Sequence, residues 1–239
     1  MDWDWLGLVR MDWDGLGWIG IDDKNIILKT NNDILLSTAY LPPVQWFSKL
    51  VANRLVYIEY NESYHKQTYR NRCVIDSPNG KINLTVPVEK PANGSRLIRD
   101  IRISDHDDWR IKHWHSLESS YFNSPFFEFY QDDFRPFFET KYEFLVDFNE
   151  ALILKCQELI GMNCELAHTD NFVAPEDAEA FSIRDYRQVI SPKMALDLDS
   201  EFKVKPYYQV FDQGTGFKPN LSIVDLIFNM GPEAKLLLF

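Results

Sequence analysis

Apolar and polar positions recur in short runs over the first half of the chain and at helical spacing over much of the second. "ILLSTAY", starting at Ile34, is a short apolar strand. Pro42 and Pro43 stop it and suit the first turn of a helix, which the pattern carries over about 44–52. "RLVYIEY" predicts a second strand, and "RCVID", "SPNG" and "KINLTVPV" together predict a hairpin turning at Pro78-Asn79-Gly80. "LIRDIRIS" alternates apolar and charged residues, so it predicts a half-exposed strand.

From 107 to 161 the spacing is helical. Asp107 and Asp108 stand where an N-cap and a first-turn acid belong, Pro125 and Pro136 are expected to break the run, and Gly161 to close it. Phe144, Leu145, Phe148, Leu152, Cys156 and Leu159 fall on one helical face. Residues 176–205 carry little periodic signal. The chain ends in a helix that starts near Asn220 or Ser222 and is interrupted at Gly231-Pro232. Short strands first and helices later predict an α/β or α+β fold: a small mixed sheet with an N-terminal strand-loop-helix unit, then a helical segment and a C-terminal helix.

The first residues are of another kind. "MDWDWLGL" at Met1 and "MDWDGLGW" at Met11 are near-duplicates, too short and too few for a repeat array. Residues 1–33 are therefore expected to be a weakly ordered extension, with 34–239 forming a single domain. The length of 239 residues and the hydrophobic share of 45% suit one large globular domain.

Charge narrows the partners. Asp and Glu number 36 against 25 Lys and Arg, a net charge of −11, which disfavours nonspecific binding to nucleic acid or to an anionic membrane. No apolar run approaches the ~18–20 residues of a membrane span, and no basic-then-apolar leader is present, so a cytoplasmic protein without membrane insertion is expected. Cys73, Cys156 and Cys164 form no CxxC and are expected as buried free thiols.

Against that acidity, "YHKQTYRNRC" (64–73) is basic and aromatic throughout. Arg70 and Arg72 share one face of an extended segment, and two guanidiniums there need carboxylates or a ligand anion between them. Either a pocket for an anion or a set of ion pairs with surface acids satisfies that need. His113 and His115 are two apart, which on a helix separates them, so no metal site is expected. Tyr121 and Tyr130, in the aromatic stretch "SYFNSPFFEFY", carry hydroxyls that need partners if buried. Asp225 and Asn229 are one turn apart among apolar residues, and a buried Asp225 would need a partner such as Arg70 or Arg72. GxxxxGK[ST], GxGxxG and GxSxG are absent, which removes P-loop and α/β-hydrolase readings.

Taken in order, "STAYLPPVQWFSKL", "YHKQTYRNRCVI", "LTVPVEK", "WRIKHWHSLESSYFNSPFFEFY", "LIGM" and "YYQVFDQGTGFKPNLSIVDLIFNMGPE" resemble the WbqC-like protein family over about 34–237. Tyr40, Pro42 and Phe47 match its opening block, although Ser37 and Thr38 stand where the family has Gln or His. Tyr64, Lys66, Arg70, Asn71 and Arg72 match its basic block, and Pro87 its L-x-V-P block. Tyr121, Pro125 and Phe126 match its aromatic block; Gln209, Phe217, Asn220, Ser222, Asp225 and Asn229 match the closing one. The resemblance implies a place in surface-polysaccharide (O-antigen) biosynthesis and specifies no mechanism.

The expectation that follows is a transferase-like enzyme acting on an anionic, nucleotide- or phosphate-bearing sugar. Ligands of such sheets sit at the carboxyl ends of the strands, where Tyr40, Tyr64, Lys66, Arg70, Asn71, Arg72, Asn220 and Asn229 would bind the anion or substrate. Glu59 or Asp225 would be the general base. The alternative is a non-catalytic component that binds a sugar or a protein of a polysaccharide assembly pathway. No cofactor is specified and no metal is expected.

Overall fold

The computed structural model describes residues 33–51, 53–90 and 94–239; the proposed extension falls almost wholly outside them. Four parallel strands form the main sheet in the order β5-β2-β1-β6. β1 (Ile34–Ser37), α1 (Val44–Val51) and β2 (Leu55–Glu59) make a strand-helix-strand unit, as the pattern predicts. β1 and β2 are in register at Leu35↔Tyr57 and Leu36↔Ile58. Side chains alternate across the sheet: Ile34, Leu36, Val56 and Ile58 enter the main core, while Leu35 and Tyr57 face a smaller cluster with Ala178 and Ile183.

The predicted hairpin forms as β3 (Arg72–Ile75) and β4 (Ile82–Thr85), paired antiparallel. Three helices follow: α2 (Trp109–Tyr121), α3 (Phe127–Glu139) and α4 (Leu145–Leu159). β5 (Glu165–His168), the short α5 (Pro175–Ala180) and the two-residue β6 (Arg184–Asp185) complete the sheet. A four-residue turn of helix, α6 (Asp212–Thr215), precedes α7 (Ile223–Met230) and α8 (Ala234–Leu237).

α7 is buried from Ile223 to Asn229 and ties the two halves together. Its entrance is sewn to the strand-helix unit and to the hairpin: Ile223 N–H donates to Pro42 O (2.7 Å), Val44 N–H to Leu221 O (2.9 Å) and Ser222 N–H to Val74 O (2.8 Å). Its exit needs a glycine. Gly231 has φ +54°, and a Cβ there would lie 2.5 Å from the Phe126 ring.

Three sequence expectations fail for local reasons. "LIRDIRIS" buries Ile98, Ile101 and Ile103 as the alternation requires, but it forms a 3-10 turn at Ile98–Asp100 and isolated bridges to Phe144 and Val88 rather than a strand. Pro136 does not break α3; burial of Phe134 and Phe138 on either side holds the last turn until Glu139. Asp107 and Asp108 do not cap α2. Both have positive φ (76° and 43°), and the Asp107 carboxylate pairs with Lys112 instead. The three cysteines are free and buried.

Candidate functional site

Three of the parallel strands, β1, β2 and β6, end beside one another, and the loops that leave them enclose a crevice. Ligands of open parallel sheets bind in this position. Two cavities open there, of about 200 and 300 Å³. The smaller is lined by Ser37 and Thr38 at the end of β1, by Trp46 of α1, and by Tyr69, Tyr186 and Ser191 from the loops. The larger is lined by Asn61, Glu62 and Ser63 after β2, by Asp185 of β6, and by Phe172 and Pro175. His65, Arg70, Arg187 and Gln188 line both and form the wall between them.

Arg70 is the centre of this wall and is 5% exposed. Nε donates to Glu62 Oε1 (2.8 Å) and Nη2 to Glu62 Oε2, a bidentate pair. Nη2 also donates to Ser37 Oγ (2.8 Å). Among the described residues Nη1 has no hydrogen-bond partner, so one edge of the fork stays available. The Arg70 carbonyl accepts from Asn149 Nδ2 (2.8 Å), which anchors the loop to α4.

Arg187 is held more completely. It donates to both Asp185 oxygens, with Nη2 2.6 Å from Oδ2, to Val173 O (2.8 Å) and through Nη1 to Glu59 Oε2 (3.2 Å). Burial opposes its charge, but the Asp185 and Glu59 carboxylates leave its pKa above the ordinary value. Around the wall the buried cations Arg70 and Arg187 face the carboxylates Glu59, Glu62 and Asp185. Two cations thus face three carboxylates, so cation is not in surplus, and the crevice presents donors and acceptors side by side.

Of the residues proposed from the sequence, only Arg70 lines the cavities. Tyr64 is half-buried close to it; burial raises the Tyr64 hydroxyl pKa while Arg72 and Arg70 pull it down. Lys66 is exposed in the turn that follows, and Arg72 leaves along β3 with Nε on Thr85 Oγ1 (3.2 Å). Asn71 donates to Val86 O (2.8 Å) and pins the hairpin. Tyr40 lies in the core, its hydroxyl 2.9 Å from His113 Nδ1. Burial pushes His113 down to about 4, so it stays neutral beside that hydroxyl.

Glu59 is at the carboxyl end of β2, as expected, but has no exposure and four donors. Oε1 accepts from Asn61 N–H (2.8 Å) and the Thr169 hydroxyl (2.5 Å); Oε2 accepts from Val173 N–H (2.9 Å) and Arg187. This is the geometry of a brace. Asp225 and Asn229 lie elsewhere, on α7. The expected pairing of Asp225 with Arg70 or Arg72 is overturned: Asp225 accepts from Tyr207 (2.7 Å), Tyr121 (2.9 Å) and Gln209 (3.1 Å). Arg70 is already spent on the nearer Glu62. Burial pushes Asp225 up to about 6 even though those three donors favour its charged form. Asn229 Nδ2 donates to the Asp225 carbonyl (2.8 Å). Asn220, at φ +56°, accepts from Gln45 N–H (2.9 Å) and so caps α1 from a distant segment.

The WbqC-like protein family matches residues 38–236. The chain belongs to this family. One relative is an uncharacterized protein of Mycobacterium tuberculosis, 26% identical over 220 residues that cover 84% of this chain and 94% of that one. No solved structure matches. Much of what carries the family resemblance is frame: Pro42, Asn220, Ser222 and Asp225 hold α1 and α7 in place, and the basic block supplies Arg70 to the crevice.

Sequence reasoning missed His65, Thr68, Tyr186, Arg187 and Gln188 of the WbqC-like crevice. His65 and Thr68 stand inside the basic run, where nothing in the residue pattern sets them apart from its cations. "RDYRQ" does carry a signal: Asp185 and Arg187 are alternate residues, which a strand end places on one side. Among the described residues no three or more His, Cys, Asp or Glu are placed to hold a metal ion, and no helix is long and apolar enough to cross a membrane.

Proposed function

We propose that the chain is a transferase-type enzyme of surface-polysaccharide (O-antigen) biosynthesis that holds an anionic, nucleotide- or phosphate-bearing sugar in the crevice. The observation that carries this reading is the shared wall. Two cavities at the carboxyl ends of three parallel strands meet at Arg70, whose Nη1 edge is unpaired. A guanidinium edge is a donor set suited to a phosphate oxygen. Of the rest of the basic run, His65 lines both cavities, whereas Tyr64, Lys66 and Arg72 do not. The carboxylates and amides around them accept from and donate to sugar hydroxyls.

In this reading His65, which lines both cavities, takes the proton from the attacking hydroxyl. Imidazole is the commonest such base, whereas Glu59 and Asp225 have both oxygens occupied by donors. Positioning and charge then supply most of the rate in a transfer to or from a phosphate-bearing sugar.

The non-catalytic alternative has one observation in its favour, the saturation of Glu59 and Asp225. A thermal-shift panel of nucleotides, nucleotide sugars, sugar phosphates and neutral sugars tests binding. A ligand at a hundred times its dissociation constant stabilises by about 2.7 kcal/mol, roughly 5–10 °C for this size. A phosphate-bearing sugar should give that shift, and His65→Ala should leave the shift while abolishing turnover. A shift from neutral sugars alone would favour the sugar-binding protein, and no shift from any of them would reject both sugar-binding readings.

A further inference from the structure

One phenyl ring stands open in the crevice. Trp46 and Tyr186 are buried in its lining and Tyr69 is half-buried, whereas Phe172 is 52% exposed. Other large apolar side chains are exposed among the described residues, but Phe172 is the one that lines the crevice. Its loop is firmly held. Thr169 donates its hydroxyl to Glu59 Oε1 (2.5 Å) and accepts at its carbonyl from Asn61 Nδ2 (2.6 Å). Val173, next to Phe172, donates its N–H to Glu59 Oε2 (2.9 Å) and accepts at its carbonyl from Arg187 Nη2 (2.8 Å). Pro175 then opens α5. The Arg187 guanidinium lies over the Phe172 ring, 5.3 Å from its centre, a cation–π contact that steadies the ring itself. The sequence thus mounts a half-exposed aromatic on a braced backbone, at the border of the larger cavity.

The same lining carries free polar groups. Ser63 and Gln188 are exposed there, and among the described residues neither the Ser63 hydroxyl nor the Gln188 side-chain amide makes a hydrogen bond. Arg70 brings its unpaired Nη1 edge to the same cavity. A pyranose has C–H bonds on a ring face and hydroxyls around its rim, so a cyclic sugar phosphate can use all three contacts at once: face on the ring, rim on the amide and hydroxyl, phosphate on the guanidinium. We propose that Phe172 is the platform on which the sugar ring of the ligand stacks, and that it discriminates a cyclic sugar phosphate from a phosphate ester without a ring. This assignment rests on the reading of the crevice proposed above and adds the side chain that recognises the sugar. Arg70 holds the charge and Phe172 the ring, so the two recognitions are separable by mutation.

The test titrates glucose 1-phosphate, glycerol 3-phosphate and UDP calorimetrically into the full-length protein and into Phe172→Ala, Phe172→Leu and Phe172→Tyr. Wild type should prefer glucose 1-phosphate to glycerol 3-phosphate by about tenfold, the upper end of what one ring contact contributes. Phe172→Ala should abolish that preference by weakening glucose 1-phosphate alone, with glycerol 3-phosphate and UDP each within about twofold of wild type. Phe172→Tyr should keep the preference, and Phe172→Leu, apolar but not flat, should lose most of it. If Phe172→Ala melts more than a few degrees below the parent, the Tyr and Leu variants decide, since both keep a large side chain. A preference that survives in Phe172→Ala or Phe172→Leu, or a wild type that does not distinguish the two esters, overturns the platform while leaving the crevice as a phosphate site. Weakening of UDP with glucose 1-phosphate unchanged would give the ring to a base and overturn it too. Wild type binding none of the three would remove the underlying reading and the platform with it.

Discussion

Glu59→Gln should lower the unfolding free energy by roughly 3–5 kcal/mol, the loss expected when one partner of a buried ion pair is removed. The substitution is nearly isosteric, so packing changes little. What changes is that Arg187 loses the charge facing Nη1, and an amide N–H is set against donors that Glu59 now satisfies on both oxygens. These donors come from three places in the chain: Asn61 after β2, the 169–173 loop after β5, and Arg187 after β6. One carboxylate therefore ties together three of the connections that shape the crevice. Urea unfolding would show the effect as a midpoint shift at unchanged slope, and thermal melting as a fall of roughly 6–20 °C. A loss below about 1 kcal/mol together with lost turnover would return Glu59 to the role of general base that its position at a strand end suggests.

Asp225 should make stability depend on pH in the sense opposite to most carboxylates. Its folded pKa is pushed up to about 6 by burial, above the ordinary value of 3.8. The folded state thus holds the proton more tightly than the unfolded chain. Its contribution is fully present below about pH 4, where both states are protonated, and is lost as pH rises through about 6. The span corresponds to about 3 kcal/mol. Comparison with Asp225→Asn isolates it, because the other carboxylates are common to both proteins. Between pH 4 and 7 wild type should lose about 3 kcal/mol relative to the variant and change little beyond. A difference that stays flat with pH would mean that the hydrogen bonds from Tyr207, Tyr121 and Gln209 outweigh burial.

Both results depend on residues whose partners lie far along the chain, and this decides what could be read in advance. The strand-helix-strand unit at 34–59, the hairpin at 72–85 and the α4 face are local in origin: alternation, a Pro-Asn-Gly turn and a helical stripe define them. β5 and β6 are short, and "ELAH" and "RD" have no apolar alternation to announce them. They are strands because β2 and β1 offer parallel edges, which is a property of the assembled sheet. The same holds for the site. Arg70 is legible because the run around it is basic in an acidic chain. That Glu62 rather than Asp225 holds it depends on a turn at 65–68 that brings Glu62 back beside it. For Arg187 the sequence shows only its alternate spacing with Asp185; that the pair sits at a strand end follows from the pairing of β6 with β1.

The central claim is that the crevice at the ends of β1, β2 and β6 binds a phosphate-bearing sugar. Hydrogen–deuterium exchange with and without a saturating ligand from the thermal-shift panel tests it most directly. The account predicts slower exchange confined to the segments that line the two cavities, 37–39, 61–70, 172–175 and 185–191, with the α2–α3 region unchanged. Protection located elsewhere, or none at these segments while the ligand is bound, would contradict it.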